Sequence, residues 1–532
     1  MRNFLSFIAL VANVICGLSK RTSKYESGQT IVRTSTGTYT GLIEPQFPET
    51  LQFRSIAFAQ PPVGSRRWLP PQRLPQSSKW HSSVDYPPSC PQFISSVPSL
   101  LSEYFAEGAL ISNGNQNHTS GLVGASTSED CLYLAIWTPA NATLNSKLPV
   151  LFFMTGGGFT SGGVSIPYQH PTDWVQRSQS HIVVTINYRL NVFGFPNARA
   201  LKDQNLGLLD QRLALEWVRD NIASFGGNPG RITQWGQSAG SISADAHAYA
   251  FYKDPIASGY FMQSGTIFSG TGVVDLTCSN FSFVAREFGC NFPSDNDGVK
   301  EIDCMRKIPF TQIENFIGQY GDRGELPVLS FIPVADERTV FSDYTARIRA
   351  GQVARVPAIM STTANEASSL VPFPKDNPVI PIVPQSVIDS VTVSMFVCAA
   401  YSSVLARNQL DIPIFRYQHA GTYPNLNPLD WVGAYHGSDL PLLFGTYGLV
   451  KTSGNVTKFE SEVSRAIQDH VIAFAKDPYS GPQLIGWEPF VTNEPEMGQV
   501  ARFGAKGRVI QHVNGVELDG ICLGTGSYDA FP

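Results

Sequence analysis

Charge is scarce in this sequence. Aspartate, glutamate, lysine and arginine make up 15% of its 532 residues, against about a quarter in an average soluble chain. The cations are scattered without a basic run, and the net charge is only −5. That balance argues against a nucleic-acid partner. Also missing are His-Glu-x-x-His, a paired Cys-x-x-Cys, Gly-x-x-x-x-Gly-Lys, and a Gly-x-Gly-x-x-Gly opening a helix after a strand. Without these signatures neither a metal nor a nucleotide cofactor is expected. There is no internal repeat. Beyond the N-terminus no apolar run approaches the roughly 20 residues that span a bilayer, so no stable membrane insertion is expected.

What the chain does have is apolar content. Hydrophobic residues make up 42%, enough for a large core and incompatible with disorder. The N-terminus combines Met1-Arg2-Asn3, an almost wholly apolar stretch over residues 4–15, and small or polar residues Cys16, Gly17 and Ser19. This pattern predicts an export signal over residues 1–19 and an extracellular protein. A membrane anchor is the weaker reading, because about a dozen apolar residues fall short of a span. Four Asn-x-Ser/Thr sequons, at Asn117, Asn141, Asn280 and Asn455, are candidate glycosylation sites. Export also permits disulfides. Removing Cys16 with the signal leaves seven of eight cysteines, an odd number, so at least one thiol stays free or pairs outside the chain.

From there strand-like apolar runs alternate with helical patterns, which predicts an α/β fold with a mostly parallel sheet covered on both faces. Residues 148–154 and 181–188 read as buried strands. A helix opens at Leu206, burying Leu213, Leu215, Trp217, Val218 and Ile222, and stops at Phe225-Gly226-Gly227-Asn228-Pro229-Gly230. No linker separates two globular parts, so residues 20–532 are expected to form one domain. Arg231-Ile232-Thr233-Gln234-Trp235 then runs into Gly236-Gln237-Ser238-Ala239-Gly240. Gly-x-Ser-x-Gly after a strand is the pattern of a strained strand-to-helix turn that presents a serine hydroxyl. A β-carbon at Gly236 or Gly240 would crowd neighbouring backbone.

Several separated motifs, in order, resemble those of the type-B carboxylesterases, the cholinesterase/lipase branch of the α/β-hydrolases. They are residues 53–64 (Phe-Arg-Ser-Ile-Ala-Phe-Ala-Gln-Pro-Pro-Val-Gly), 129–134 (Glu-Asp-Cys-Leu-Tyr-Leu), Asn187-Tyr188-Arg189, 205–211 and the Ser238 pentapeptide. The resemblance runs from about residue 35 to at least 445 and implies an α/β-hydrolase fold.

A serine hydroxyl needs a base, and the base an orienting acid; in this fold both follow the serine, acid first. His436, in Gly433-Ala434-Tyr435-His436-Gly437, sits on a small-residue turn and falls on the family's histidine motif. His419 is its local rival, with a strand-like lead-in, and His247 reads as structural. Glu366 follows the apolar run 356–360, where active-site loops gather. It matches the family's acid loop, although Ala367 replaces the usual glycine; Asp336 is the rival and resembles a structural aspartate. For the oxyanion, the resemblance implies backbone donors at Gly157, Gly158 and Ala239, each worth about 3 kcal/mol. Thr155 stands where many relatives carry histidine or an aromatic residue.

Two disulfides follow from the resemblance, Cys90–Cys131 and Cys290–Cys304. The first loop contains Phe93, Ile94, Val97, Leu100, Leu101, Tyr104 and Phe105, which fit a mobile lid or ordinary packing equally well. Only 70 positions separate Glu366 from His436. With Pro372, Pro374, Pro378, Pro381 and Pro384 in that segment, a trimmed, open pocket wall is expected. The chain thus reads as a secreted ester hydrolase, esterase or lipase, acting on a small-molecule or lipid ester. A non-catalytic adhesion protein on the same fold is the alternative. Neutral His436 should be required, so activity should fall below about pH 6.5.

Overall fold

Strands that are apolar on both faces need cover on both faces, and the core divides accordingly. In the run 148–154, Val150, Phe152 and Met154 join one buried cluster, while Leu151 and Phe153 join the cluster on the opposite side. This strict alternation is the period-two geometry of a strand. The computed structural model describes residues 30–103, 120–269, 274–292, 294, 297–372, 380–427, 429–449, 454–493 and 495–532. The expected export signal, Asn117, Tyr104, Phe105, Pro374 and Pro378 lie outside these residues.

The central sheet has eleven strands: β1 Leu42–Ile43, β2 Thr50–Ala57, β3 Tyr133–Pro139, β4 Leu148–Met154, β5 Ile182–Ile186, β6 Gly227–Gln237, β7 Gly259–Gln263, β8 Ala358–Thr363, β9 Ile414–His419, β10 Gln499–Phe503 and β11 Ile510–Asn514. Their spatial order is β11-β10-β9-β8-β7-β6-β4-β5-β3-β2-β1. From β5 through β10 every neighbouring pair is parallel, and antiparallel strands finish both edges. Buried strands of Val, Ile, Phe and Met suit a parallel centre that never meets water. The chain has an α/β-hydrolase fold.

On one face lies α1, Leu206–Asn221, whose Leu213, Leu215, Trp217 and Val218 enter the first cluster. Helix α2, Ala239–Ala250, follows the Ser238 turn directly. The cluster on the other face is closed by α6, Lys458–Lys476, through Val463, Ile467 and Val471. Thr457 and Glu460 start that helix with a reciprocal capping box. Helix α3, Phe310–Asp322, packs on the small strand pair Phe93–Ile94 and Leu122–Val123.

The expectation of an open wall after Glu366 is corrected. The prolines stop at Pro384, and the next 24 residues, Gln385–Asn408, form one continuous helix. It consists of α4 (Gln385–Thr392), a π-helical turn at Val393–Val397, and α5 (Cys398–Asn408). Proline has no N–H to give, so a run of them ends just where helix becomes possible. By length and composition this helix could cross a membrane, but half of its apolar window is buried inside the protein.

Both expected disulfides form, and a third, Cys398–Cys522, ties α5 to the C-terminal segment. Cys278 is the free thiol among the described cysteines, consistent with the odd count. Asn141 and Asn455 are exposed. Asn280 is a correction to the sequon reading: it is 5% exposed, and its Nδ2 donates to the Ser330 carbonyl at 3.2 Å. A glycan on that nitrogen has no room in the folded protein.

Candidate active site

β6 ends at Gln237, and the chain turns at Ser238 into α2 with φ 56° and ψ −122°. That is left-handed backbone on a non-glycine residue, strain of a kind concentrated at functional sites. The packing enforces it. A β-carbon on Gly236 would lie 2.1 Å from the Gly240 carbonyl group, and one on Gly240 would lie 2.0 Å from the Met154 carbonyl oxygen. Only glycine lets β4, β6 and α2 approach this closely, and the approach lifts Ser238 out of the sheet.

Ser238 opens onto a cavity of about 350 Å³. His436 and Gly437 line it, together with Gly157, Gly158, Phe159, Gln237 and Ala239. Glu366 stands behind His436: its Oε2 lies 2.6 Å from His436 Nδ1, and its Oε1 accepts the Thr363 N–H at 2.7 Å. The Glu366 side chain is fully buried. On the opposite edge of the imidazole, Gln237 Nε2 lies 3.1 Å from His436 Nε2. A carboxylate only accepts, so Nδ1 carries the proton that points to Glu366 and Nε2 carries the lone pair, which faces Gln237. This is the tautomer a general base needs. The bond to Gln237 marks a residue that the sequence reading passed over, although it sits inside the serine motif.

The loop after β4 turns sharply. Gly157 and Gly158 have φ 106° and 61°, and the Gly157 carbonyl accepts the N–H groups of Thr160 and Ser161. A β-carbon on Gly157 would lie 2.4 Å from the Ser161 carbonyl oxygen. Ala239 begins α2, so its N–H points from the positive end of a helix.

The rival residues lie elsewhere. His247 is buried in α2, with Nδ1 2.7 Å from Gln234 Nε2 and Nε2 3.1 Å from the Leu208 carbonyl. Burial depresses its pKa to about 3. His419 ends β9, fully buried and stacked on Tyr423. Asp336 accepts three backbone N–H groups, from Arg338, Thr339 and Val340, and shapes a turn. Deeper behind Glu366, Asp439 accepts the Tyr417 hydroxyl at 3.0 Å, and burial raises its carboxyl to about 6.

The remaining walls are mostly apolar, formed by Leu101, Ile242, Leu370, Met395 and Phe396, with Ser264 and Ser269 also lining the cavity. Met395 and Phe396 belong to the π-helical turn, and the Phe396 ring centre is 5.1 Å from that of His436. Of the candidate lid residues, Ile94 and Leu100 are buried in the protein, Val97 is exposed and Leu101 faces the cavity.

A strained serine turn between β6 and α2, at the centre of a sheet in this order, places the chain among the α/β-hydrolases of the esterase and lipase kind. The sequence pattern of the Carboxylesterase family matches residues 28–385 and 382–519. The chain belongs to that family and is a carboxylic-ester hydrolase; an adhesion role is not favoured. It is 36% identical to a chlorogenic acid esterase of Aspergillus niger, over 92% of this chain and 94% of that protein. It is 34% identical to secreted lipase 5 of Gibberella zeae, over 93% and 94%. An acetylcholinesterase of Bungarus fasciatus is 26% identical over 89% and 83%.

Proposed function

We propose that the protein hydrolyses esters through an acyl-enzyme on Ser238. His436 Nε2, which meets Gln237 Nε2 at 3.1 Å in this structure, must exchange that contact for the Ser238 hydroxyl. It then takes the Ser238 proton as the hydroxyl oxygen attacks the ester carbonyl, and Glu366 steadies the imidazolium. The tetrahedral intermediate places its negative oxygen against the N–H groups of Gly157, Gly158 and Ala239. It collapses as the C–O bond breaks, and the alcohol leaves with the proton that His436 returns. Water then attacks the acyl-serine by the same route and frees the acid. The observation that carries this reading is the relay from Glu366 Oε2 to His436 Nδ1 at 2.6 Å in a cavity shared with Ser238.

The substrate class is an ester of a compact, aromatic acid. A volume of about 350 Å³ lies at the small end of ligand sites. Phe396 offers a flat apolar contact beside the flexible Met395, and Ser269 lies on the same wall, where its hydroxyl can meet a ring substituent. The name of the Aspergillus relative points the same way; a relative named as a triacylglycerol lipase points to lipid esters instead. Turnover of hydroxycinnamoyl esters should therefore exceed that of long-chain triacylglycerols. Ser238→Ala should reduce both at least about a thousandfold. Faster turnover of the triacylglycerol would overturn the aromatic assignment, and unchanged turnover in Ser238→Ala would overturn the mechanism.

Export by cleavage within the first 19 residues and glycans at Asn141 and Asn455 complete the reading. The relatives named as secreted support it. N-terminal sequencing of protein from culture medium tests it, and an intact Met1 there would contradict it.

A further inference from the structure

Three consecutive residues of the loop after β4 are left-handed: Gly157, Gly158 and Phe159, the last at φ 64°. For phenylalanine that conformation is strained and must be held from outside. Its ring is buried edge-on to Phe195 at 5.2 Å, and its carbonyl accepts the Asn191 N–H at 2.8 Å. Asn191 is itself left-handed, at φ 47°, and opens the short helical turn Asn191–Gly194. Its Nδ2 donates to Glu314 Oε1 at 2.6 Å. Glu314 lies on α3 with no solvent exposure, and its Oε2 is buried without a hydrogen-bond partner among the described residues.

A buried carboxyl with one partner is a costly choice for a core position that glutamine or leucine could fill. The hydrolytic mechanism does not use it. Helix α3 is a firm support: it packs on the Phe93–Ile94 and Leu122–Val123 strands, and Asn315 accepts the Val123 N–H at 2.6 Å.

We propose that Glu314 is a positioning residue for ester hydrolysis, holding the Asn191 side chain so that the Asn191 N–H fixes Phe159 and, with it, the Gly157–Gly158 donors. The inference rests on reading those two glycines as oxyanion donors. Glu314 touches no substrate and acts through two hydrogen bonds in series. Burial lifts its carboxyl to about 8, so it is neutral near pH 7, and glutamine reproduces its Oε1 acceptor.

The test is steady-state hydrolysis of p-nitrophenyl butyrate at pH 7 by wild type, Glu314→Gln, Glu314→Leu, Asn191→Gly, the Leu/Gly double variant and Gly157→Ala. Glu314→Leu should lower kcat about tenfold or more with KM within about twofold, the pattern of a lost transition-state interaction. Glu314→Gln should stay within about twofold of wild type. Asn191→Gly tolerates the left-handed backbone but loses the tether, so it should match the Glu314→Leu loss. The double variant should lose no more than either single change. Unchanged kcat in Glu314→Leu, equal losses in the Gln and Leu variants, or multiplicative losses in the double variant would each overturn the proposal. If Glu314→Leu fails to fold, Asn191→Gly decides in the same way. Gly157→Ala separates the two readings. A loss there without one in Glu314→Leu and Asn191→Gly removes the Glu314 inference alone. No loss in Gly157→Ala removes the oxyanion assignment on which it rests.

Discussion

Ser238 was legible because its constraints are local: a strand, two close-packed glycines and a helix within a dozen residues. His436 and Glu366 were also found in the sequence, since each sits on a short turn that matches a family motif. Gln237 and Glu314 were not. Their side chains meet His436 and Asn191, partners 199 and 123 positions away, and no local pattern encodes such pairs. In the proposed mechanism the Glu366 carboxylate keeps the proton on His436 Nδ1, which it meets at 2.6 Å. Glu366→Gln can present its amide NH₂ to Nδ1 and so force the other tautomer, blocking the lone pair at Nε2. We expect kcat to fall about ten-thousandfold with folding intact. A loss below tenfold in a steady-state assay would show that the glutamate is not the orienting acid.

At the scale of elements, the buried strands and the first helix were readable from apolar runs and stop signals. The helix Gln385–Asn408 was not, because the short, proline-filled segment after Glu366 suggested a trimmed, open wall. The prolines instead mark its boundary, and the π-helical turn lets the neighbours Met395 and Phe396 both reach the cavity. Cys398 begins the next turn and is bridged to Cys522 across 124 residues. In the chain-entropy view, closing a loop of that length is worth about 5 kcal/mol. Replacing both cysteines with serine should lower Tm clearly and raise KM for aromatic esters as the Phe396 wall loosens. Thermal melts and kinetics on one preparation check this. An unchanged Tm would show that packing alone holds the helix, and an unchanged KM that the wall does not depend on the bridge.

For the whole molecule, the two-faced sheet and its large core followed from composition and alternation, whereas the C-terminal contribution did not. Residues near the end of the chain buttress the acid loop: the Ala530 carbonyl accepts Asn365 Nδ2 at 3.0 Å, and the Tyr528 hydroxyl donates to the Ala364 carbonyl at 2.6 Å. Those contacts are long-range and leave no periodic trace. Buried acids also give the fold a pH dependence. The Glu314 carboxyl is raised by burial from 4.5 to about 8. Between those values the folded state holds a proton that the unfolded state has lost. The stabilisation is therefore complete below about pH 4.5 and is lost as pH rises through about 8. Asp439, raised by burial to about 6, adds a decline of the same sign at lower pH. Glu314→Gln should thus lose less stability than wild type between pH 5 and pH 8.5 in urea unfolding. Parallel declines would show that Glu314 does not titrate in that window.

The account stands on Ser238 as the nucleophile, and the most direct measurement is stoichiometric labelling with a p-nitrophenyl organophosphate ester. We predict release of one equivalent of p-nitrophenol per chain, with the phosphoryl group on the peptide containing Ser238 and no release from Ser238→Ala. A folded protein that releases none, or carries the label on another residue, would contradict it.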